Sequence, residues 1–324
     1  MTAFLKSTKI EYKKSVVSWV ERYFYAPSVA DRLLSYCLYP LSLLYCFTVW
    51  LRYKAAKETD CRIPIISVGN LTVGGSGKTP LVSALASTFT APCIILRGYG
   101  RHSSGLLVVK DSQGIHCDVK QSGDEAMIYA QKLSKAVVIV SENRMDAIAK
   151  AQQMHCEVVF LDDGYSKHNI KKYDILIDIA TPNTFCLPAG PFRERLWRGK
   201  TAYIAREERT FKRNVTYKNL TSAMLLVTAI ARPERLQPYL PKGVVGHRYF
   251  PDHYYFQKEE LEQMLHESGA ASLLVTYKDY VKLADFNLPL SLMDLDVEVS
   301  QELQKNIQAY VNNLKAYSPS HTRS

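Results

Sequence analysis

The chain has 324 residues, 47% of them apolar and 22% charged, a composition that excludes both an intrinsically disordered protein and a single small domain. Its net charge of +10 predicts an anionic partner, and nucleic acid, a membrane surface or a phosphorylated substrate would each satisfy it. The seven scattered cysteines form no C-x-x-C pair, so they predict buried, reduced thiols in a cytosolic protein rather than a zinc or redox motif.

The first element is an uncharged apolar stretch at 33–51, with basic residues from Lys6 onward before it and from Arg52 onward after it. No small-residue cleavage site follows, which argues against a signal peptide. About 20 apolar residues can span a bilayer, but Pro40 near the middle and the basic flanks favour a helix or helical hairpin on the inner leaflet. A true transmembrane span and a buried core helix remain the alternatives.

From residue 61 onward, short β-branched runs alternate with segments of helical character. Strands are predicted at 63–69, 92–98, 136–140, 157–163, 174–179, 201–206, 223–231, 242–250, 272–277 and 296–300. Helices are predicted at 79–89, 123–134 and 143–154. Continuous apolar strands separated by helices are typical of a parallel sheet covered on both faces, so the predicted fold class is α/β.

A charged stretch near 206–218 is predicted to be irregular and to separate two α/β units. The predicted organisation is a membrane-associating segment at 1–60, a nucleotide-binding domain at 61–212 and a smaller α/β domain at 213–324. The final residues, 318–324, are predicted to be disordered.

The stretch "SVGNLTVGGSGKTP" at 67–80 predicts a phosphate-binding loop between a strand and a helix. Thr72 stands where the first glycine of G-x-x-x-x-G-K-[ST] is expected, and the glycines have moved inward. Closely spaced glycines still let backbone N–H groups surround phosphate oxygens at a helix N-terminus. Lys78 would reach the β- and γ-phosphates and Thr79 would ligate Mg²⁺. The loop residues expected to bind nucleotide are Gly74, Gly75, Ser76, Gly77, Lys78 and Thr79.

The strand "EVVFLDDG" ends in Asp162 and Asp163, at the sheet edge where the phosphate loop is expected. At least one of these carboxylates could hold Mg²⁺ directly or through water. The alternative is a pair of capping aspartates in a strand–helix turn.

Three further motifs carry candidate site residues, each with a structural alternative. "RGYGR" supplies Arg97 and Arg101 for phosphate or phosphosugar contact, or forms a solvated basic turn. "GDEAM" starts a helix with Asp124, which could simply interact with the helix dipole. "FPDHYYF" supplies His253, which could support a carboxylate base or be structural.

"TYKD" at 276–279 has the spacing of the base-reading motif of GTPases, but four residues are weak evidence for guanine specificity. The ordered set of motifs is far more specific. "SVGNLTVGGSGKTP", "RGYGR", "GDEAM", "LDDGYSKH", "LPAGPFRERL", "VTAIARPERL", "FPDHYYF" and "TYKDYVKL", over about residues 15–285, together resemble the tetraacyldisaccharide 4′-kinase (lipid A 4′-kinase) family.

This resemblance implies transfer of the γ-phosphate of ATP, with Mg²⁺, to the 4′-hydroxyl of a tetraacylated glucosamine disaccharide 1-phosphate. It implies two α/β domains with the site between them. It also implies a lipid substrate, an inner-membrane surface as partner, work at the cytoplasmic face of that membrane, and no nucleic-acid partner.

The resemblance also implies residue roles. Asp124 matches the proposed base for the 4′-hydroxyl proton, and His253 matches the histidine thought to pair with it. Arg193 matches an arginine at the substrate cleft, where Asn70, Arg97 and Arg101 are also expected. Lys78, Thr79, Asp162 and Asp163 match the phosphate and metal positions.

One departure concerns the family pattern D-D-G-[FM]-Q-H. Here Ser166 replaces the glutamine and Lys167 occupies the histidine position, with His168 one residue later. Roles carried by that glutamine or histidine are therefore in doubt in this chain.

The rival function is a membrane-associated P-loop ATPase switch of the partition or septum-positioning type. Such proteins need a signature lysine before the glycine pair, where this chain has Val73.

Overall fold

The computed structural model describes residues 19–317, which form two β-sheets with helices packed against them. The basic residues around Lys6 and the predicted disorder at 318–324 lie outside the described residues. All seven cysteines are unpaired as predicted, but only Cys93, Cys156 and Cys186 are buried.

Eight strands form the large sheet: β1 (Ile65–Gly69), β2 (Pro92–Leu96), β3 (Leu107–Asp111), β4 (Gly114–Ile115), β5 (Val137–Val140), β6 (Val158–Asp162), β7 (Tyr173–Ile177) and β8 (Tyr203–Ala205). Their order is β4-β3-β5-β2-β6-β1-β7-β8. All neighbouring pairs are parallel except those that β3 makes with β4 and β5. The predicted α/β class with a parallel sheet is confirmed.

The helices in this part of the chain are α1 (Val29–Ala55), α2 (Lys78–Ala86), α3 (Val119–Ser122), α4 (Asp124–Lys132) and α5 (Arg144–Gln153). Helices α2 and α4 pack on one face of the sheet, and α5 packs on the other. Alternate residues of β1 point to opposite faces, as the two-residue period of a strand requires. Ile66 packs into a core shared with α2 and α4, whereas Ile65 packs into a second core shared with α5.

Five strands form the smaller sheet: β9 (Phe211–Lys218), β10 (Met224–Thr228), β11 (Val244–Tyr249), β12 (Ser272–Thr276) and β13 (Leu290–Val299). Their order is β11-β10-β12-β13-β9, and β9 alone is antiparallel to its neighbour. Three helices follow within this part of the chain: α6 (Lys258–Ser268), α7 (Tyr277–Leu283) and α8 (Gln301–Tyr317).

The prediction of an irregular stretch at 206–218 was wrong, because most of it is strand β9. Phe211 is buried and the following residues alternate between partly buried and exposed, so the strand carries many charges on its open face. An edge strand paired on one side only needs no continuous apolar run. The hairpin of β3 and β4 was likewise missed.

Helix α8 packs back on the large sheet although it follows the smaller one in sequence. Leu303, Ile307 and Val311 are buried in the same core as Ile66. The Tyr310 hydroxyl donates to the Ile65 carbonyl at 3.1 Å. The second sheet begins near the predicted boundary at 212/213, while the three-part domain division itself stays a prediction.

Helix α1 has its faces reversed relative to a helix in a soluble core. Its buried residues are Asp31, Ser35, Ser42 and Val49. Leucines lie on the outside, with Leu33 63% and Leu44 61% exposed. The predicted alternative of a buried core helix is therefore wrong. In the described part of the chain, α1 is the one helix long and apolar enough to cross a membrane, by length and composition only.

Candidate active site

The phosphate loop has the predicted strand–loop–helix geometry. Strand β1 ends at Gly69 and α2 begins at Lys78. Gly77 precedes the helix in the left-handed region (φ 69°), and Gly74 also has a positive φ of 94°, conformations that glycine adopts without strain. Gly77 supplies no side-chain cap, so the first-turn N–H groups of α2 are left for a ligand.

Lys78 folds over this loop and contacts three oxygen atoms. Its Nζ lies 3.1 Å from Asn70 Oδ1 and 3.2 Å from Ser76 Oγ. The same ammonium is 3.7 Å from Asp163 Oδ1. The lysine charge is thus concentrated where the loop, the first glycines and the acidic pair meet.

The two aspartates stand beside the loop because β6 is the parallel neighbour of β1, with Asp162 opposite Val68. Asp162 Oδ2 accepts a hydrogen bond from the Tyr129 hydroxyl at 2.8 Å. Its Oδ1 is buried with no hydrogen-bond partner among the described residues. Burial raises the pKa of Asp162 in spite of the nearby Lys78 charge.

Asp163 differs from its neighbour in being paired. Arg193 donates to both carboxylate oxygens, Nη1 to Oδ2 at 2.9 Å and Nη2 to Oδ1 at 2.5 Å. Burial would raise the pKa of Asp163, but the charges of Lys78 and Arg193 outweigh it and the pKa is lowered. Asp163 is therefore ionised at neutral pH.

These residues fit a magnesium ion. A buried carboxylate oxygen without a partner is costly, and Asp162 Oδ1 would gain one from a cation or its water. Thr79 lies within reach of the Tyr129 hydroxyl that binds Asp162. Among residues 19–317, no group of three His, Cys, Asp or Glu side chains is arranged to hold a metal. Mg²⁺ commonly uses one or two carboxylates together with phosphate oxygens and water.

Asn70 ties the loop to Arg193. Its buried side-chain oxygen accepts from Lys78 and, at 3.2 Å, from Arg193 Nη2. Its amide nitrogen donates to the Thr72 carbonyl at 2.7 Å. Thr72, the residue in place of the first loop glycine, therefore helps to orient Asn70.

A cavity of about 170 Å³ adjoins this cluster and is lined by Tyr45, Arg52, Asn70, Asp163, Tyr165, Ser166, Arg193 and Glu194. Helix α1 forms one wall. The Tyr45 hydroxyl donates to the Arg193 carbonyl at 3.2 Å, and Arg52 pairs with buried Glu194. The apolar helix is thus in direct contact with the nucleotide side of the site.

The departure from the family pattern falls in the same region. Ser166 lines the cavity. His168 is buried, with Nδ1 2.9 Å from Lys200 Nζ and Nε2 3.5 Å from Glu194 Oε2. These contacts are structural ones, joining the acidic-pair turn to the segment after Arg193.

A second cluster combines a side chain from a helix of the large-sheet unit with one from a loop of the smaller-sheet unit. Asp124 starts α4 directly after Gly123, and His253 lies in the loop after β11 with a left-handed backbone (φ 61°). His253 Nδ1 is 3.0 Å from both carboxylate oxygens of Asp124. A non-glycine residue in that conformation is strained and is often functional.

The carboxylate of Asp124 is only 5% exposed. Burial would raise its pKa, but the hydrogen bond from His253 and the charges of Lys278, His253 and Lys282 outweigh burial, and the pKa is lowered. The result is a carboxylate that is ionised at neutral pH in a site shielded from water.

The "RGYGR" loop forms a wall beside His253. The Tyr99 and His253 rings lie 5.6 Å apart. Arg97 is exposed, whereas the Arg101 side chain is buried and donates to the Gly105 carbonyl at 2.6 Å and to Glu142 at 2.5 Å. The two arginines therefore differ: Arg97 is accessible and Arg101 braces its own loop.

Glu125 follows Asp124 in α4 and lies near both clusters, because its carboxyl group interacts with the charges of Asp162 and Asp124. Burial, followed by the charge of Asp162, raises its pKa to about 7. Lys278 and Lys78 partly offset this effect, while Asp124 adds to it. The nucleotide side and the Asp124 side are thus electrostatically adjacent.

Sequence reasoning also missed arginines that reach the phosphate loop from the second unit. Arg213 of β9 donates to the Ser76 carbonyl at 2.8 Å, and Arg235 donates to the Gly75 carbonyl at 3.3 Å. Arg232 Nη2 is so close that a Cβ on Gly74 would lie 2.8 Å from it. Of these three arginines, Arg232 and Arg235 lie in the motif "ARPER", which was a signal in the sequence, whereas Arg213 lies in no motif.

Comparison with known proteins identifies the family that the sequence motifs resemble. A family model described as tetraacyldisaccharide-1-P 4′-kinase matches residues 34–205 and 199–313. The tetraacyldisaccharide 4′-kinase of Aliarcobacter butzleri is 42% identical over 314 residues, covering 94% of this chain and 100% of that protein. The enzyme of the same name from Helicobacter acinonychis is 44% identical over 301 residues, covering 92% and 96%.

A solved structure is also similar. The "apo" form of LpxK from Aquifex aeolicus in complex with ATP matches with a TM-score of 0.68 and 25% identity. The match covers 87% of this chain and 99% of that one.

Proposed function

The chain belongs to the tetraacyldisaccharide-1-P 4′-kinase family, and from that premise we propose how its own residues perform the reaction. The activity is ATP-dependent phosphorylation of the 4′-hydroxyl of tetraacyldisaccharide 1-phosphate, which forms the bis-phosphorylated lipid A precursor. The comparisons give no support to an ATPase switch.

The observation that carries the proposal is the Asp124–His253 contact beside the phosphate loop. Phosphoryl transfer needs mainly positioning and charge neutralisation, together with a group that orients the nucleophile. We propose that Asp124 accepts the proton of the 4′-hydroxyl and that His253 orients its carboxylate. The lowered pKa of Asp124 supports this role, because the base is then ready at neutral pH.

On the nucleotide side, the backbone of 74–79 would surround the phosphates, and Lys78 would neutralise the charge of the γ-phosphate. Thr79, Asp162 and Asp163 would hold Mg²⁺, which would supply positive charge to neutralise the phosphates. Arg193 would keep Asp163 oriented and remain close enough to contact the transferred group. The unpartnered Asp162 Oδ1 supports the metal assignment.

The anionic substrate would approach from the side of exposed Arg97. Burial lowers the pKa of Arg144, and the positive charge of Arg97 adds to this effect while Asp162 and Asp163 oppose it, so the two arginines lie close enough to affect each other. Arg101 would act by shaping the loop, and Asn70 by fixing Lys78 and Arg193.

We further propose that the outward face of α1 lies on the cytoplasmic face of the inner membrane. Its leucines are exposed while its serines are bonded to the protein: Ser42 donates to the Cys186 carbonyl at 2.6 Å and accepts from the Ala189 N–H at 2.9 Å. Such a face is favourable in lipid and unfavourable in water. A tetraacylated substrate stays in the bilayer, so the enzyme must meet it there.

The function is tested with purified protein, γ-labelled ATP and tetraacyldisaccharide 1-phosphate in mixed micelles. Label is expected in the lipid, dependent on the protein and on Mg²⁺. Label found only in free phosphate would overturn the kinase assignment.

A further inference from the structure

Lys278 stands beside the Asp124–His253 pair and contacts Asp124 directly. Its Nζ is 3.7 Å from Asp124 Oδ2 and 2.9 Å from Asp252 Oδ1. Asp252 Oδ2 is in turn 3.5 Å from His253 Nε2. The four side chains form a closed ring in which both the histidine and the lysine bridge the same two carboxylates.

The position of Lys278 is fixed by the residues around it in "TYKD". Thr276 caps helix α7 and donates to Asp279 Oδ2 at 2.7 Å. Asp279 is fully buried and also accepts from Thr228 Oγ1 at 2.6 Å and from the Ala229 N–H at 3.0 Å. The motif therefore anchors the start of α7 to the end of β10 and directs Lys278 at the other sheet.

The loop that carries His253 is anchored to the same helix. Lys282 Nζ pairs with Asp279 at 3.1 Å and donates to the Tyr254 carbonyl at 3.3 Å. Helix α7 thus sets the relative position of Lys278 and His253.

We propose that Lys278 is a positioning residue for phosphoryl transfer, whose ammonium group, anchored by Asp252, keeps Asp124 ionised and aimed at the substrate hydroxyl. The proposal rests on the proposed role of Asp124 as the base. The "TYKD" motif would then serve to position the proposed base rather than to read a guanine.

The charges around the ring support the proposal. Besides Lys278, the groups that face Asp124 are His253, Lys282, Glu125 and Tyr255. Burial would lower the pKa of Lys278, but Asp124, Asp252 and Glu125 outweigh it and raise that pKa, so the lysine stays protonated. An opposite charge at this range commonly lowers a carboxyl pKa by about 1–3 units.

The consequence has a definite sign. Removing the lysine charge raises the pKa of Asp124, and a base works only when deprotonated. As the pH is lowered, a variant without the lysine charge should therefore lose activity at a higher pH than the parent enzyme does.

The experiment measures kcat and KM against pH for the full-length enzyme in mixed micelles. Lys278→Met removes the charge at similar length, Lys278→Gln does so with a polar group, and Lys278→Arg keeps it. Lys258→Met changes an exposed lysine of α6 and serves as the matched control. Circular dichroism establishes which variants are folded, and one folded neutral variant is sufficient.

The acidic limb of kcat is expected to move upward by about one pH unit or more in the neutral variants. Lys278→Arg and Lys258→Met should keep the limb of the parent enzyme. KM for ATP and for the lipid should stay within about twofold, since a positioning residue adds no substrate contact.

An unshifted limb in a folded neutral variant would overturn the proposal. A rise in either KM without a shifted limb would do so too, and would indicate direct contact with a phosphate instead. Asp124→Asn separates this outcome from failure of the base assignment: if that variant keeps the parent rate, the proposed function of Asp124 fails, whatever Lys278 does.

Discussion

The two halves of the cleft are built in different ways. The nucleotide half comes from neighbouring strands of one sheet, since β1 and β6 are in register and bring Lys78 and the acidic pair together. The other half, which holds the proposed base and is called the base half here, joins Asp124 of helix α4 to His253 of the smaller unit. A local motif can therefore assemble the first half, whereas the second depends on how the two units pack against each other.

This contrast has exceptions, because arginines of the second unit contact the phosphate loop. Arg213 of β9 donates to the Ser76 carbonyl, and Arg235 donates to the Gly75 carbonyl. Substitutions on each side can measure how independent the two halves are.

The largest effect is expected from Lys78→Ala. Lys78 is proposed to neutralise the γ-phosphate, and loss of that charge should lower kcat by about 10³–10⁵-fold, as for an arginine finger. The γ-labelled ATP assay measures it, with Lys171→Ala as a surface control. Near-normal transfer would show that the loop is not the phosphate site, and the contrast between the two halves of the cleft would then no longer hold.

Asp124→Asn probes the other half. It should lower kcat by about 10²–10⁴-fold, the usual contribution of general-base catalysis, while ATP binds with unchanged affinity. Isothermal titration with a non-hydrolysable ATP analogue gives the affinity, and exposed Asp146→Asn is the control. If ATP affinity fell in parallel with kcat, the halves would not be separable.

Arg213→Ala tests the crossing contact. Hydrogen bonds that involve a charged group contribute about 1.5–3 kcal/mol, so KM for ATP should rise about 10–100-fold with a smaller change in kcat. Arg209→Ala, an exposed arginine near the same strand, should have no effect. An unchanged KM would mean that the nucleotide half is complete within its own sheet.

The smallest effect on the cleft is expected from Leu44→Ser on α1. Burial of one such apolar side chain contributes about 1.5–3 kcal/mol, so its loss should weaken binding to anionic vesicles by about 10–100-fold. Turnover in detergent micelles should stay constant, because neither half is touched. Val245→Ser, an exposed apolar residue of the smaller sheet, is the control, and equal vesicle binding by both variants would contradict the proposed membrane face.

The sequence predicts the nucleotide half well because its signals are local. The phosphate-loop motif with Lys78 and the strand end with Asp162 and Asp163 are each short stretches of consecutive residues. Parallel pairing of their two strands brings the two stretches together. Asp124 and His253 could be linked only through family resemblance, since 129 residues separate them.

The remaining features had weaker signals. Strand β9 was missed because its charged residues hide the period of an edge strand, and the contacts of Arg213 depend on that strand. Arg97 and Arg101 look equivalent in "RGYGR", but only packing decides that Arg101 turns inward to Glu142. The role of "TYKD" depends on side chains from two sheets, which spacing alone does not indicate.

The return of helix α8 to the large sheet affects the order in which the parts of the chain can fold during synthesis. Leu303, Ile307 and Val311 complete the core under β1, yet they are synthesised only after all five strands of the smaller sheet. Domains generally fold as units during synthesis, N-terminal ones first, but the core under β1 cannot be completed until the strands of the smaller sheet and then α8 have been made. A chain truncated before α8 should therefore leave the earlier part of the large sheet exposed to chaperones and proteases.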